Sequence, residues 1–175
     1  MLSKKIEKEL NNQIGMEGES SFAYLACASW CDSNGYEGAA SFLYRHSEEE
    51  RDHMLRLFNY INDAGGHALV PDIKGIKNEY KSLQSIFEGV LEHEKAVTNA
   101  INKMVDTCMK EKDFSTLNFL QWYVAEQHEE EALFNKVLDK FRLIGEDEKG
   151  LFWIDKELGE MAAAMPAAGQ DAAQQ

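Results

Sequence analysis

The residues best equipped for chemistry in this 175-residue chain are carboxylates and a histidine that interrupt apolar helical stripes. The stripe 6, 10, 14, 17, 21, 24, 28 contains Glu17, and the stripe 43, 47, 50, 54, 57, 61 contains Glu50, with His53 three residues on. The stripe 83, 87, 90, 94, 97, 101 contains Glu94. The stripe 120, 124, 127, 130 or 131, 134 contains Gln127 and Glu130. Burying one carboxylate costs several kcal/mol unless it is paired or metal-bound. One such intrusion reads as a satisfied core acid; four, one per stripe, need a common partner.

Their spacing repeats. Glu17 to Glu50 and Glu94 to Gln127 are both 33 residues, and Glu17 to His53 and Glu94 to Glu130 are both 36. The chain thus carries E-x32-E-x2-H and then E-x32-Q-x2-E. If each half is an antiparallel helical hairpin, the first Glu and the later pair lie at similar depth, and residues at i and i+3 share a face. The expected product is a mid-bundle cage of carboxylates and one imidazole, the layout of di-metal carboxylate bundles. Its donors suit hard or borderline cations, iron foremost. An isolated Glu50-Arg51-Asp52-His53 would be an exposed acidic turn; its partners on the other stripes reverse that reading. The runs Glu48–Glu50 and Glu129–Glu131 are ordinarily solvated faces. On spacing alone, Glu49, Glu126 and Glu129 are equally compatible with a third, more exposed cation position.

Four long helices are needed to position these groups, at about 4–33, 37–64, 82–111 and 115–144, with a short fifth at about 147–160. Asp32-Ser33-Asn34-Gly35, Gly65-Gly66 and Gly145 mark the ends, and Ser82 is a cap. Short connections make helices one and two, and three and four, antiparallel hairpins. The 65–81 segment, with Pro71 and Gly75, is long enough to run the length of a bundle. The expected fold is all-α, a four-helix bundle with one long crossover and a short fifth helix. Residues 1–160 form one domain, and the Ala/Gln-rich 161–175 segment is expected to be a mobile tail.

Composition narrows the function. Eighteen Lys+Arg against 31 Asp+Glu give a net charge of −13, which disfavours a nucleic-acid surface and suits a protein that concentrates cations. No apolar run approaches a membrane span or an export signal, so a cytoplasmic protein is expected. Cys27, Cys31 and Cys108 contain no C-x-x-C, which excludes a zinc ribbon or rubredoxin-like module; buried thiols are the plain reading.

The strings YEGAASFLYRHSEEERDHM (36–54), NFLQWYVAEQHEEE (118–131) and IDKEL (154–158) resemble bacterial non-haem ferritins over about residues 1–160. The resemblance implies a ferritin-like bundle whose Glu17, Glu50 and His53 hold one iron. Glu94 and Glu130 would hold the other, with Glu50 bridging and Gln127 close by. It further implies a third iron position at Glu49, Glu126, Glu129 and Glu130, and a tyrosine, Tyr24, beside the centre. Trp122 falls near the same level and reads as a packed aromatic. Three departures stand out. Gln127-x-x-Glu130 replaces a second E-x-x-H, Arg51 occupies the haem-ligand position of bacterioferritins, so no haem is expected, and Leu117 and Leu120 replace the acidic pair of animal ferritin threefold channels.

The implied activity is oxidation of Fe2+ by O2 or H2O2 at two irons per subunit, with storage of Fe3+ mineral in a hollow 24-subunit shell. The alternative is a di-iron redox enzyme of the rubrerythrin or oxygenase type on the same bundle. A DNA-coating mini-ferritin would place its site between subunits, whereas the cage here lies within one chain.

Overall fold

A computed structural model describes residues 2–166. Five helices follow in order: α1 Lys4–Ser33, α2 Glu37–Asp63, α3 Leu83–Glu111, α4 Phe114–Ile144 and α5 Glu148–Ala164. α1 packs mainly on α2, α3 on α4, and α1 on α3; α5 folds back onto α2. The expected helix boundaries agree to within a residue for the four long helices. α5 is the exception: it continues to Ala164, past the expected end at 160. Residues 161–164 are therefore helical, with Ala162 buried, because alanine is the best helix former and one face still meets the core. The rest of the expected tail, from residue 167, lies outside the described residues.

Local chemistry accounts for most helix starts. Ser3 accepts a hydrogen bond from the Ile6 amide, Asp113 from Thr116 and Asp147 from Gly150. Ser82 and Ser85 form a reciprocal capping box at α3. The N-terminus of α2 has no side-chain cap of its own, since Tyr36 occupies that place. Asp155 of α5 supplies it instead, accepting from Gly38 N at 3.2 Å and Ala39 N at 2.8 Å. This long-range cap requires close backbones. A Cβ on Gly38 would lie 1.9 Å from the Asp155 carbonyl oxygen, and one on Gly159 would lie 3.2 Å from Gly38 Cα.

The crossover between α2 and α3 is tied to α1. Asn11 donates to the His67 carbonyl and accepts from Leu69 N, and Glu7 accepts from His67 N. Pro71 and Ile73 then lie against the Gly15–Gly18 face of α1, beside Met54.

Apolar side chains form two clusters rather than one. Ile6, Leu10, Ile14, Leu57, Ile61, Val97, Ile101, Met104, Leu120 and Tyr123 belong to the cluster at one end. Tyr24, Ala28, Leu43, Phe87, Val90, Phe134, Val137, Phe141 and the inner face of α5 belong to the other. Cys27 and Cys31 are in this second cluster and Cys108 in the first, all three buried and free. Burial raises the Cys27 thiol and pushes Cys31 up to about 12, so both stay protonated. Two expectations change. Val124 is exposed, and Tyr123 takes its place in the core. Leu120 is fully buried, so it lines no subunit surface.

The Asp155 cap gives a test. Asp155→Ala should cost about 1 kcal/mol, the usual value of an N-cap. Gly38→Ala should cost about 1–3 kcal/mol by overpacking against backbone. Thermal melts should therefore rank wild type above Asp155→Ala, with Gly38→Ala at or below it; an unshifted Gly38→Ala melt would contradict the close approach.

Candidate metal centre

Between the two apolar clusters lies a polar layer to which every long helix contributes. On each helix the layer begins and ends where the stripe passes from one cluster to the other. α1 supplies Gln13 and Glu17 between Leu10 and Tyr24, and α2 supplies His46, Glu50 and His53 between Leu43 and Leu57. α3 supplies Glu94 between Leu91 and Val97, and α4 supplies Gln127 and Glu130 between Tyr123 and Phe134. Glu17, Glu50, His53, Glu94, Gln127 and Glu130 are all buried, none more than 4% exposed.

Three donor groups come together among the described residues, each with its ligand atoms within 4.8 Å of one another. Glu17, Glu50 and His53 form the most buried group, with His53 Nδ1 3.6 Å from Glu50 Oε2. Glu49, His53 and Glu126 form a second, and His46, Glu49 and Glu130 a third. Two differences from expectation follow. Glu129 is exposed and joins none of these groups. His46, which lies off the apolar stripe, joins one. A signal for it existed: His46 lies four residues before Glu50, hence on the same helical face.

Glu94 faces the same layer but is held by two donors. Tyr24 Oη donates to its Oε1, and Gln127 Nε2 donates to its Oε2 at 2.9 Å. Tyr24 thus stands against the centre through Glu94. Gln127 presents its amide nitrogen and so orients Glu94. Gln13 does the same for Glu17, donating to Oε1 at 2.8 Å; its i, i+4 spacing from Glu17 is the sequence signal for it. Trp122 stands edge-on to the His53 ring at 5.1 Å, under the Arg56 guanidinium, and Tyr123 Oη donates to the His53 carbonyl.

The electrostatics make the layer suited to cations. Burial, then the neighbouring Glu50 charge, pushes the Glu17 carboxyl well up. The interaction between the two carboxyls drives their proton affinities apart, raising Glu17 further and lowering Glu50. Burial still lifts Glu50 to about 8 and Glu94 to about 7, and raises Glu130 strongly, with Glu50 and Glu94 adding to the last shift. Burial lowers His46 to about 3, so its ring is neutral. Glu17 Oε2 and Glu130 Oε2 are buried without a hydrogen-bond partner. Desolvated, mutually repelling oxygens with unfilled lone pairs, plus imidazole nitrogens, fit divalent cations of borderline hardness.

This layer sets a pH dependence with a definite sign. In the metal-free protein Glu50 and Glu94 bind protons more tightly than in the unfolded chain, near 4.5. That contribution to stability is complete below about pH 4.5 and is lost as pH rises through 7 and 8. Melts of chelator-treated protein should fall from pH 5.5 to pH 8.5, and more shallowly in Glu50→Gln. A divalent cation must displace those protons. Zn2+ binding at pH 6.5 should release more than one proton per subunit, and less at pH 8.5, in a pH-stat titration.

Comparison with known proteins agrees with this arrangement. Residues 7–144 match the family model described as a ferritin-like domain. A protein of Haemophilus influenzae called a probable bacterial non-heme ferritin-like protein is 50% identical over 162 residues, 93% of this chain and 98% of that one. The bacterial non-heme ferritin of Campylobacter jejuni is 44% identical over 93% of this chain and 97% of its own length. Among solved structures, an open pore ferritin of the archaeon Archaeoglobus fulgidus superposes with a TM-score of 0.88 at 42% identity. It covers 91% of this chain and 98% of its own. By fold, by sequence and by the carboxylate layer between its helices, this chain belongs to the ferritin family.

Proposed function

We propose that this protein stores iron, oxidising Fe2+ at two adjacent positions inside each subunit and depositing Fe3+ as mineral within a closed homo-oligomeric shell. The observation that carries the reading is the desolvated layer of four carboxylates, one from each long helix, with unfilled oxygens at its centre. Glu17, Glu50 and His53 bind one Fe2+. Glu94 and Glu130 bind the second, with Glu50 shared between them. Carboxylate oxygens favour the more highly charged product, which lowers the potential at which each iron yields its electron. In net terms, two Fe2+ give one electron each to O2, which takes up two protons to leave as H2O2.

The chain's own groups prepare this step. Gln13 fixes Glu17 so that Oε2 points free. Tyr24 and Gln127 fix Glu94, and Trp122 with Tyr123 locks His53 on its helix. The apolar clusters on either side keep bulk water from the layer, which strengthens its electrostatics.

Exposed apolar residues support assembly. Phe22, Leu25 and Val70 are uncovered on α1 and the crossover, and Leu143, Ile144, Phe152 and Trp153 about the α4–α5 turn. Such residues in number call for a covering surface, and further copies of the chain supply one. The expected assembly is the 24-subunit shell of ferritins, in the cytoplasm; among the described residues no helix is long and apolar enough to cross a membrane. The net charge of −13 per subunit, multiplied over a shell, draws cations toward it. No observation favours the redox-enzyme alternative, which needs an electron-delivery module.

Stopped-flow mixing of anaerobically Fe2+-loaded protein with O2 tests the reading. A visible transient that saturates at two irons per subunit is expected in wild type. Glu50→Ala and His53→Ala should abolish its fast phase, slowing oxidation by about 10²-fold or more, as loss of a metal ligand does. Unchanged fast oxidation in both variants would overturn the ligand assignment. Gel filtration should place the protein far above the 19.9 kDa of one chain; a monomer or dimer would overturn the shell.

A further inference from the structure

We infer that Thr98 and Glu131 are positioning residues for the second iron position: together they fix which end of the Gln127 amide faces Glu94. The inference rests on the proposed iron reading, in which Glu94 and Glu130 hold that ion. Neither Thr98 nor Glu131 belongs to any of the three donor groups.

Thr98 lies four residues after Glu94 on α3, and Glu131 four after Gln127 on α4, so each pair shares a helix face. The four side chains meet between the two helices. Thr98 Oγ1 donates to Glu131 Oε1 at 2.6 Å, and Gln127 Nε2 donates to Thr98 Oγ1 at 3.4 Å. The same nitrogen reaches the Glu94 carbonyl at 3.2 Å and Glu94 Oε2 at 2.9 Å. The first hairpin has no such network. Four residues after Glu17 and Glu50 stand Ser21 and Met54. Ser21 Oγ turns to the Ser47 carbonyl at 2.7 Å, and the Met54 thioether is a weak acceptor in the place of a carboxylate.

A side-chain amide has one donating and one accepting end, and its neighbours decide which end goes where. A hydroxyl is the ambiguous neighbour, because it can give or take. With its single proton given to Glu131, Thr98 has only lone pairs left for Gln127, so it takes the amide nitrogen and not the oxygen. The Glu94 carbonyl, which can only accept, imposes the same choice. Gln127 is thereby fixed as the donor to Glu94 Oε2, while Tyr24 is the donor to Oε1. Partners of this kind hold a ligand carboxylate in the orientation an ion needs, and losing one costs about 10–100-fold in metal affinity. Without the Thr98 hydroxyl, Gln127 loses its side-chain restraint and Glu94 a fixed donor. The position at Glu17, which Gln13 orients, is untouched by that loss.

Thr98→Val keeps the side-chain shape and changes no charge, and Thr98→Ser keeps the hydroxyl. Crystals of metal-free protein soaked in a series of Co2+ concentrations give the occupancy of each position separately, from anomalous scattering. In Thr98→Val, half-occupancy beside Glu94 and Glu130 should need about 10-fold more Co2+ than in wild type. The position at Glu17, Glu50 and His53 should not move, and Thr98→Ser should follow wild type. Wild-type occupancy curves in Thr98→Val, a parallel loss at both positions, or a Thr98→Ser that behaves as Thr98→Val would each overturn the proposal. Should Thr98→Val fail to fold, neutron diffraction from deuterium-exchanged crystals of unmutated protein decides the matter. A Thr98 deuteron on the side of Glu131, with the Gln127 deuterons toward Thr98 and Glu94, supports it; a Thr98 deuteron aimed at Gln127 overturns it. Unmutated protein that takes up Co2+ at neither position would overturn the iron reading itself, which is distinct from any difference between the Thr98 variants.

Discussion

Everything in this bundle is arranged around carboxylates that water cannot reach. Glu17, Glu50, Glu94 and Glu130 come from four different helices, each removed from solvent. Every pair among them repels when ionised, so the metal-free fold holds protons there: Glu50 titrates near 8 and Glu94 near 7. The layer therefore weakens the empty protein at neutral pH, and that weakness is the same free energy that a bound cation recovers. A core selected for stability alone would replace it with leucine.

The rest of the molecule offsets that cost and fixes the geometry. The apolar core is divided into two clusters, one at each end of the layer, so each helix is anchored above and below its carboxylate. The end near the α1–α2 turn gains a further brace from α5, whose Asp155 closes the uncapped start of α2. α2 carries Glu49, Glu50, His46 and His53, so a cap on its first turn also bears on the helix that contributes most donors. The crossover braces the opposite half of α1, where Glu7 and Asn11 tie down His67 and Leu69.

Much of this was legible in the residues. Periodicity locates four helices to within a residue because their ends carry Ser, Asp or Gly signals, and the 33/36 spacing brings Glu17, Glu50, His53, Glu94, Gln127 and Glu130 into one layer. What escaped depends on finer matters than period. A stripe identifies a face, but neighbouring positions on its edge are not distinguished: Val124 lies outside the core and Tyr123 inside. The same ambiguity at 46 and 47 concealed His46. Glu126 and Glu129 share a face by spacing, yet Glu126 reaches a donor group and Glu129 points to solvent. The Asp155 cap is a contact between residues more than a hundred positions apart, and no local pattern announces it. α5 outran its expected end because the Ala-rich stretch reads as tail composition while being good helix sequence.

The layer is also asymmetric in a way that bears on how it fills. On the α1–α2 side, Glu17 keeps Oε2 free and His53 Nδ1 stands 3.6 Å from Glu50, so three donors already converge. On the α3–α4 side both oxygens of Glu94 are engaged, one by Tyr24 and one by Gln127. A cation entering beside Glu94 would meet oxygens that each already accept one hydrogen bond, and each such bond to a charged acceptor is worth about 1.5–3 kcal/mol. Where the first hairpin has a histidine, the second has a glutamine whose amide nitrogen holds Glu94 rather than offering a ligand. The duplicated spacing thus builds two halves of equal depth and unequal arrangement: one with three donors already converged, the other with its carboxylate held by two hydrogen bonds.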